Sequence, residues 1–270
     1  MIHERDTDVR VASETDLPEI AALTRARRDR LAGWSPLWWA KAPRADEIHR
    51  LWLGHLVSTG VVRVVERDRQ LLGCAVLLEQ PDRLFGDDVA CIDESEWPSV
   101  MRSITDAIEG VAAITCLATR EQRGAEAARA SGWRYVASYW ISPTRGPAPD
   151  VGPFDASRSV VQPRPAHTFG AGPFDPTDPG ALAFTSDAGS VIGSAPTPAP
   201  PVFDPGGPVT IIDLLDGPDR SALITQALGA TCARGDAALN VVCGSDDGEL
   251  AAMLDTNGFQ RTVDVYEHTP

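Results

Sequence analysis

The sequence predicts an α/β protein with a mixed, mostly antiparallel sheet flanked by helices, in two tandem copies. Three observations predict it. Phe85 to Tyr139 reads as strand, helix, strand, helix, strand with one buried face throughout, and its second helix closes on Gly132-Trp133. Shortly before it, VVRVVERDRQLLGCAVLLEQ places two apolar runs around the polar turn Glu66 to Gln70, a hairpin signal. The pattern then recurs. From Pro205 the same order of apolar runs and turn residues leads to Gly258-Phe259, and SVIGSA at Ser190 to Ala195 echoes LLGCAV at Leu71 to Val76. Gly73, Gly86 and Asp93 thereby gain partners in Gly193, Gly206 and Asp213 at an offset of 120, the mark of an internal repeat.

Taken in order, Val9 to Ala12 is a short strand, and Asp16 is an N-cap followed by Pro18 and Glu19 in the first helical turn. Ile20, Leu23, Ala26 and Leu31 fall on one side of this first helix, with Arg25, Arg28 and Asp29 elsewhere, and Gly33 ends it. Gly33 to Pro43, GWSPLWWAKAP, carries too many turn formers to be regular. A second helix from Ala45 to about Val57 turns Ile48, Leu51, Trp52 and Leu56 inward.

After a last strand at Tyr135 to Ile141, Thr144 to about Ala181 is dense in proline, glycine and aspartate, and excludes a persistent helix. Only SVVQPRP, from Ser159, offers a strand there. ALAFT and SVIGSAP flank the turn Ser186 to Gly189 as a second hairpin, and PTPAPP makes its second strand short or an edge. The second copy lacks room for the two helices that precede the hairpin in the first. The expected division is a complete domain at 1–143, a connector at 144–181 and an abbreviated domain at 182–270.

Composition narrows the function classes. The formal net charge is −14, and most of it falls after Arg145, which disfavours nucleic acid and anionic membrane surfaces and would steer a cationic small molecule inward. The start, MIHERDTDVR, has no apolar signal core and no run is long enough to span a bilayer, so a cytoplasmic protein is expected. Five cysteines without CxxC spacing point to structural thiols rather than a disulfide frame or zinc site. His49 and His55 are six apart and share no helix face, so both are expected at the helix surface, and Arg120 and Arg123 are expected at a solvated helix start.

This order of elements, with its helix ending in Gly132-Trp133, resembles the GCN5-related N-acetyltransferases over residues 8–142, and again, abbreviated, over 182–267. The resemblance implies the acyl-CoA N-acyltransferase fold, in which two neighbouring strands splay into a V-shaped cleft for acetyl-CoA or another acyl-CoA. Its pyrophosphate would sit on the next helix's N-terminus, where free N–H groups and the helix dipole favour an anion. It also implies a small-molecule amine acceptor and a monomer in which the second copy stands in for a partner subunit. The family's glycine-bearing phosphate loop is absent: the first copy has Asp93-Glu94-Ser95-Glu96-Trp97-Pro98, whose three acids would repel a pyrophosphate. Where the family places a tyrosine acid, the copies have Ala128 and Leu254.

Within that frame Glu79, Asp93 and Glu94 are the candidate bases, each also readable as a solvated or capping strand-end carboxylate. Gly217, Arg220 and Ser221 are the candidate cofactor contacts, in the second copy. Trp34, Trp38 and Trp39 are candidates for lining the acceptor pocket, with packing as the alternative. Two functions follow: acyl transfer from acyl-CoA to an amine, or a non-catalytic binding or interaction protein that keeps the fold without acyl-CoA.

Overall fold

The computed structural model describes residues 7–155, 181–194 and 202–270. The strand expected at Ser159 to Pro165 and the PTPAPP run lie outside the described residues. The chain forms two compact units that interleave in sequence: unit 1 is Met1–Trp34, Pro43–Val136 and Val263–Pro270, and unit 2 is Ser35–Ala42 and Ala137–Thr262. The expected division at 143 and 182 is contiguous, whereas these units are not.

In unit 1 the strands β1 (Asp8–Val11), β2 (Val62–Arg67), β3 (Gln70–Glu79) and β4 (Leu84–Cys91) pair antiparallel, each with the next. β5 (Ala113–Ala118) lies parallel to β4, and on its other edge it pairs antiparallel with Val263–His268 at the end of the chain. Helices α1 (Leu17–Trp34) and α3 (Ala45–Ser58) cover one face, over Val62, Val64, Cys74 and Val76. Helices α4 (Trp97–Ala107) and α5 (Gln122–Ala130) cover the other, over Leu72, Ala75, Leu77 and Val89. The alternating residues of β3 thus feed two cores, as a strand buried on both faces requires.

Local expectations need three corrections here. A 3₁₀ turn at Glu14–Asp16 precedes α1, so Ser13 is the cap; the Asp16 carboxylate reaches back to the Ser13 N–H at 2.7 Å and also holds Arg10. In α1 the buried stripe is Ile20, Thr24, Arg28 and Leu31, so Arg28 points inward. In α3 it is Ala45, His49, Leu53, Leu56 and Val57, while Leu51 is 64 % exposed. His49 is therefore a core residue and not the expected surface one, because the i, i+4, i+7 stripe that meets α1 runs through it. His55 is exposed, as expected.

Unit 2 contains one helical turn, α2 (Pro36–Trp39), inside the segment expected to be irregular; proline at its first position suits a helix start. Its sheet begins with β6 (Arg134–Pro143), which from Ala137 onward pairs antiparallel with β11 (Ala238–Gly244). β10 (Val209–Asp216) is parallel to β11, and β9 (Gly189–Ser194), β8 (Ala181–Ser186) and the two-residue β7 (Gly152–Pro153) follow antiparallel. Helices α6 (Arg220–Arg234) and α7 (Gly248–Thr256) pack Leu223, Ile224 and Leu254 on Val191, Leu239 and Val241. The last strand, β12 (Gln260–His268), leaves unit 2 at Thr262 and supplies the sixth strand of unit 1.

The offset of 120 places Gly73 and Gly193 alike, each in the strand antiparallel to the first strand of a parallel pair, but not the other two pairs. Gly86 lies within β4 but Gly206 in the bend before β10, and Asp93 follows β4 whereas Asp213 is inside β10. The two parallel pairs, Leu84↔Ala113 and Val209↔Ala238, each join residues 29 apart and correspond at an offset of 125.

Candidate functional site

β4 and β5 are paired only at Leu84↔Ala113, Phe85↔Ile114 and Gly86↔Thr115, and beyond Gly86 they separate into a fork. β4 bulges at that point: Cys74 pairs with Ala90 and Val76 with Asp87, leaving Asp88 in the left-handed region at φ 46°. A non-glycine residue held there is a strained position of the kind found at functional sites.

Charged side chains converge on this bulge. Arg28, buried in α1, donates from Nη1 to Nδ1 of His49 at 2.5 Å and from Nη2 to Asp46 at 2.9 Å. His49 Nε2 lies 2.7 Å from Asp88 Oδ2, and the Asp88 N–H donates to Asp87 Oδ1 at 2.9 Å. Burial opposes ionisation of Asp88, but the hydrogen bond from His49 and the charges of Arg27 and Arg28 outweigh it and hold the carboxyl below its ordinary value. Asp87 goes the other way: burial, then the adjacent Asp88 charge, push it up to about 6. His49 also lines a groove of about 330 Å³ between α1 and α3, beside Arg25, Asp46 and Arg50, so one imidazole touches both the groove and the bulge.

Arg27, one residue before Arg28, makes a bidentate pair with Glu121: Nε to Oε1 and Nη2 to Oε2, both 2.7 Å. Burial works against the guanidinium, and Glu121 more than restores its charge. Glu121 Oε2 accepts in addition from the N–H of Ala118 at 3.0 Å.

The residues singled out from sequence lie elsewhere. Glu79 is exposed at the end of β3 opposite Leu84, on the closed side of the fork. Asp93 caps the 3₁₀ turn Glu94–Glu96 through the N–H and hydroxyl of Ser95, which hold its carboxyl below the ordinary value. Glu94 is exposed in the same turn. Glu96 pairs with Arg67, and Trp97 fills the gap between α4 and α5, where a Cβ at Gly124 would come within 3.1 Å of its ring.

In unit 2, Gly217 is explained by a close approach: a Cβ there would sit 2.2 Å from the Ala188 carbonyl oxygen in the β8–β9 turn. Arg220 pairs with Asp247 at 2.8 Å, and Ser221 is exposed beside Asp219, which caps α6 through the Ala222 N–H. Trp38 packs at a tilt of 48° against Tyr139 with centroids 5.9 Å apart and meets Trp39 edge-on at 6.2 Å; Trp39 is buried. These two belong to unit 2, whereas Trp34 ends α1 in unit 1.

The cysteines are free thiols, with Cys74, Cys91 and Cys243 buried; burial pushes Cys91 up to about 12 and Cys243 up to about 11. Among the described residues no cluster of metal-ligating side chains occurs, and no helix is long and apolar enough to cross a membrane.

No known protein-family profile matches the sequence, and no curated protein matches it. Solved structures do. A Thermoplasma acidophilum protein assigned as an acetyltransferase has a TM-score of 0.55 at 14% identity, over 97% of this chain and 100% of its own. A GCN5-related N-acetyltransferase from Sphaerobacter thermophilus has a TM-score of 0.52 at 14% identity, over 99% of this chain and 96% of its own. The fold is therefore that of the N-acetyltransferases, a mixed α/β fold with a mostly antiparallel sheet flanked by helices. At this identity the likeness carries the fold and leaves chemistry to the site.

The start of α4, where this fold would seat a pyrophosphate, presents Asp93, Glu94 and Glu96, and its neighbouring cation Arg67 is committed to Glu96. The start of α6 is capped by Asp219, and its arginine is committed to Asp247. Neither donor set suits the phosphates of acyl-CoA.

Proposed function

We propose that this protein is a non-catalytic binding or interaction protein that keeps the acyltransferase fold and has given up acyl-CoA. The observation that carries the reading is the acidic start of α4: a pyrophosphate placed there would meet Asp93, Glu94 and Glu96, and the neighbouring cation Arg67 is already paired with Glu96. Thermal unfolding with acetyl-CoA tests it. Ligand at one hundred times its dissociation constant adds about 2.7 kcal/mol of stability. Absence of any shift at millimolar acetyl-CoA is the expected result, and a saturable shift would overturn the reading.

One observation favours the other reading, acyl transfer from acyl-CoA to a small-molecule amine. Asp87 is a carboxylate near pH 6 at the fork, in the range suited to removing a proton from an ammonium. In that reading Asp87 replaces Glu79, Asp93 and Glu94 as the base. Thiol release from acetyl-CoA with a panel of amines, abolished by Asp87→Asn, would establish it. Binding abolished by Arg220→Ala would move the cofactor to unit 2, with Gly217 and Ser221.

The chain is further proposed to be two copies of one unit. Equal spacing of the parallel pairs and a β-bulge just past each, at Asp88 and between Ile212 and Leu214, support this. On this proposal the chain is a monomer.

A further inference from the structure

We propose that Arg27 and Glu121 form an internal latch at the fork of unit 1 that takes up the free backbone edge of β5. The inference goes beyond the reading above, because it concerns the mouth of the fork and not the phosphate end. Its basis is the parity of β5. The Ala112 carbonyl accepts from the Leu84 N–H of β4, so the residues of β5 in step with Ala112 direct their backbone groups toward β4. Ala118 is one of these, and it lies beyond Gly86↔Thr115, where β4 has departed. Its N–H is thus an edge donor facing the open fork, of the kind that an extended ligand or an added strand would use.

Glu121 takes that donor. Its Oε2 accepts from Ala118 at 3.0 Å, and Arg27 holds both carboxylate oxygens. The carboxylates Asp87 and Asp88 of β4 add to the favourable charge felt by Arg27. A side chain from α1 and another from the start of α5 therefore satisfy this edge donor of β5 with the protein's own groups. Both are nearly buried, with 13% and 10% side-chain exposure, so the pair is dry enough to hold and geometrically bidentate. A ligand or added strand that uses the Ala118 N–H has to break it.

Amide hydrogen exchange on Arg27→Met tests the latch, since this change leaves Ala118 and Glu121 in place. The expected result is faster exchange at Ala118 by about tenfold or more, with protection in β11 of unit 2 unchanged. Arg27→Met/Glu121→Met removes both charges and guards against unfolding by an unpaired carboxylate; it should show the same opening at Ala118. Unchanged exchange at Ala118 in folded Arg27→Met would overturn the proposal. Acetyl-CoA separates the two readings. If the doubly substituted protein opens and still takes none, the latch and the loss of acyl-CoA both stand. If it binds acetyl-CoA where the wild type does not, the latch stands as an autoinhibitory contact and the reading built on α4 falls.

Discussion

His49 accepts a hydrogen bond from Arg28 through Nδ1, and this decides where its ring proton is. A guanidinium can only donate, so Nδ1 carries the lone pair and Nε2 carries the hydrogen, directed at Asp88 2.7 Å away. The imidazole is a fixed spacer between a buried cation and the carboxylate of the β4 bulge. Nitrogen chemical shifts of the ring should report the Nε2–H tautomer. His49→Leu should cost on the order of 3 kcal/mol in urea unfolding, because Arg28 and Asp88 both lose a partner in a desolvated site. A cost below about 0.5 kcal/mol, the range of unremarkable surface changes, would show that the network carries no stability.

Asp87 should leave a signature in the pH dependence of stability. Its folded value, about 6, lies above the ordinary carboxylate value, so the folded state holds its proton more tightly than the unfolded chain does. This group therefore favours folding at low pH, and its contribution declines as pH rises from about 4 through about 6. Asp87→Asn can keep the acceptor for the Asp88 N–H and cannot ionise. Relative to the wild type, it should gain stability across that window and hold the gain at pH 7. A difference that is flat with pH would refute the assignment.

Asn240 is fully buried in β11, and neither its amide nitrogen nor its oxygen has a hydrogen-bond partner. An unsatisfied buried polar group costs about 1–3 kcal/mol, so Asn240→Leu, with the same branching at Cγ, should stabilise the protein by about 1 kcal/mol. A destabilised Asn240→Leu would mean that the amide is hydrogen-bonded in solution.

The Arg220–Asp247 pair is partly exposed on both sides, and such pairs contribute about 0–1 kcal/mol. Arg220→Ala should therefore scarcely alter stability. Gly217→Ala should cost considerably more, about 1–3 kcal/mol, because the methyl group would collide with the Ala188 carbonyl. Chemical denaturation of the two variants side by side checks the contrast.

Much of the fold was legible from short-range pattern. The β2–β3 hairpin is written in its alternation around a polar turn, and the β4 to β6 run in the switch between strand and helix periods. The helix stops at Gly132 and Gly258 are written in glycine, each at positive φ. The candidate site was not legible, for a physical reason. Periodicity sorts residues by hydrophobicity, so it turned Arg28 and His49 outward, although mutual hydrogen bonds let both be buried. Arg27 and Glu121 are 94 residues apart, and nothing local to either announces the other. Glu79 and Asp93 stood out because strand ends are visible in sequence. The bulge that singles out Asp87 and Asp88 arises only when β3 and β4 pair out of step.

The interleaving of the two units has a consequence for biosynthesis. Val263–His268 pairs with β5, so β5 cannot gain this partner until translation has passed His268, about 150 residues after Ala118 at the end of β5 itself. Until then the outer edge of β5 is a row of unpaired N–H and C=O groups on a nascent polypeptide, open to mispairing with neighbouring chains. The emerging protein should lean on chaperones during synthesis, and should fold slowly when refolded from denaturant because its decisive pairings are remote in sequence.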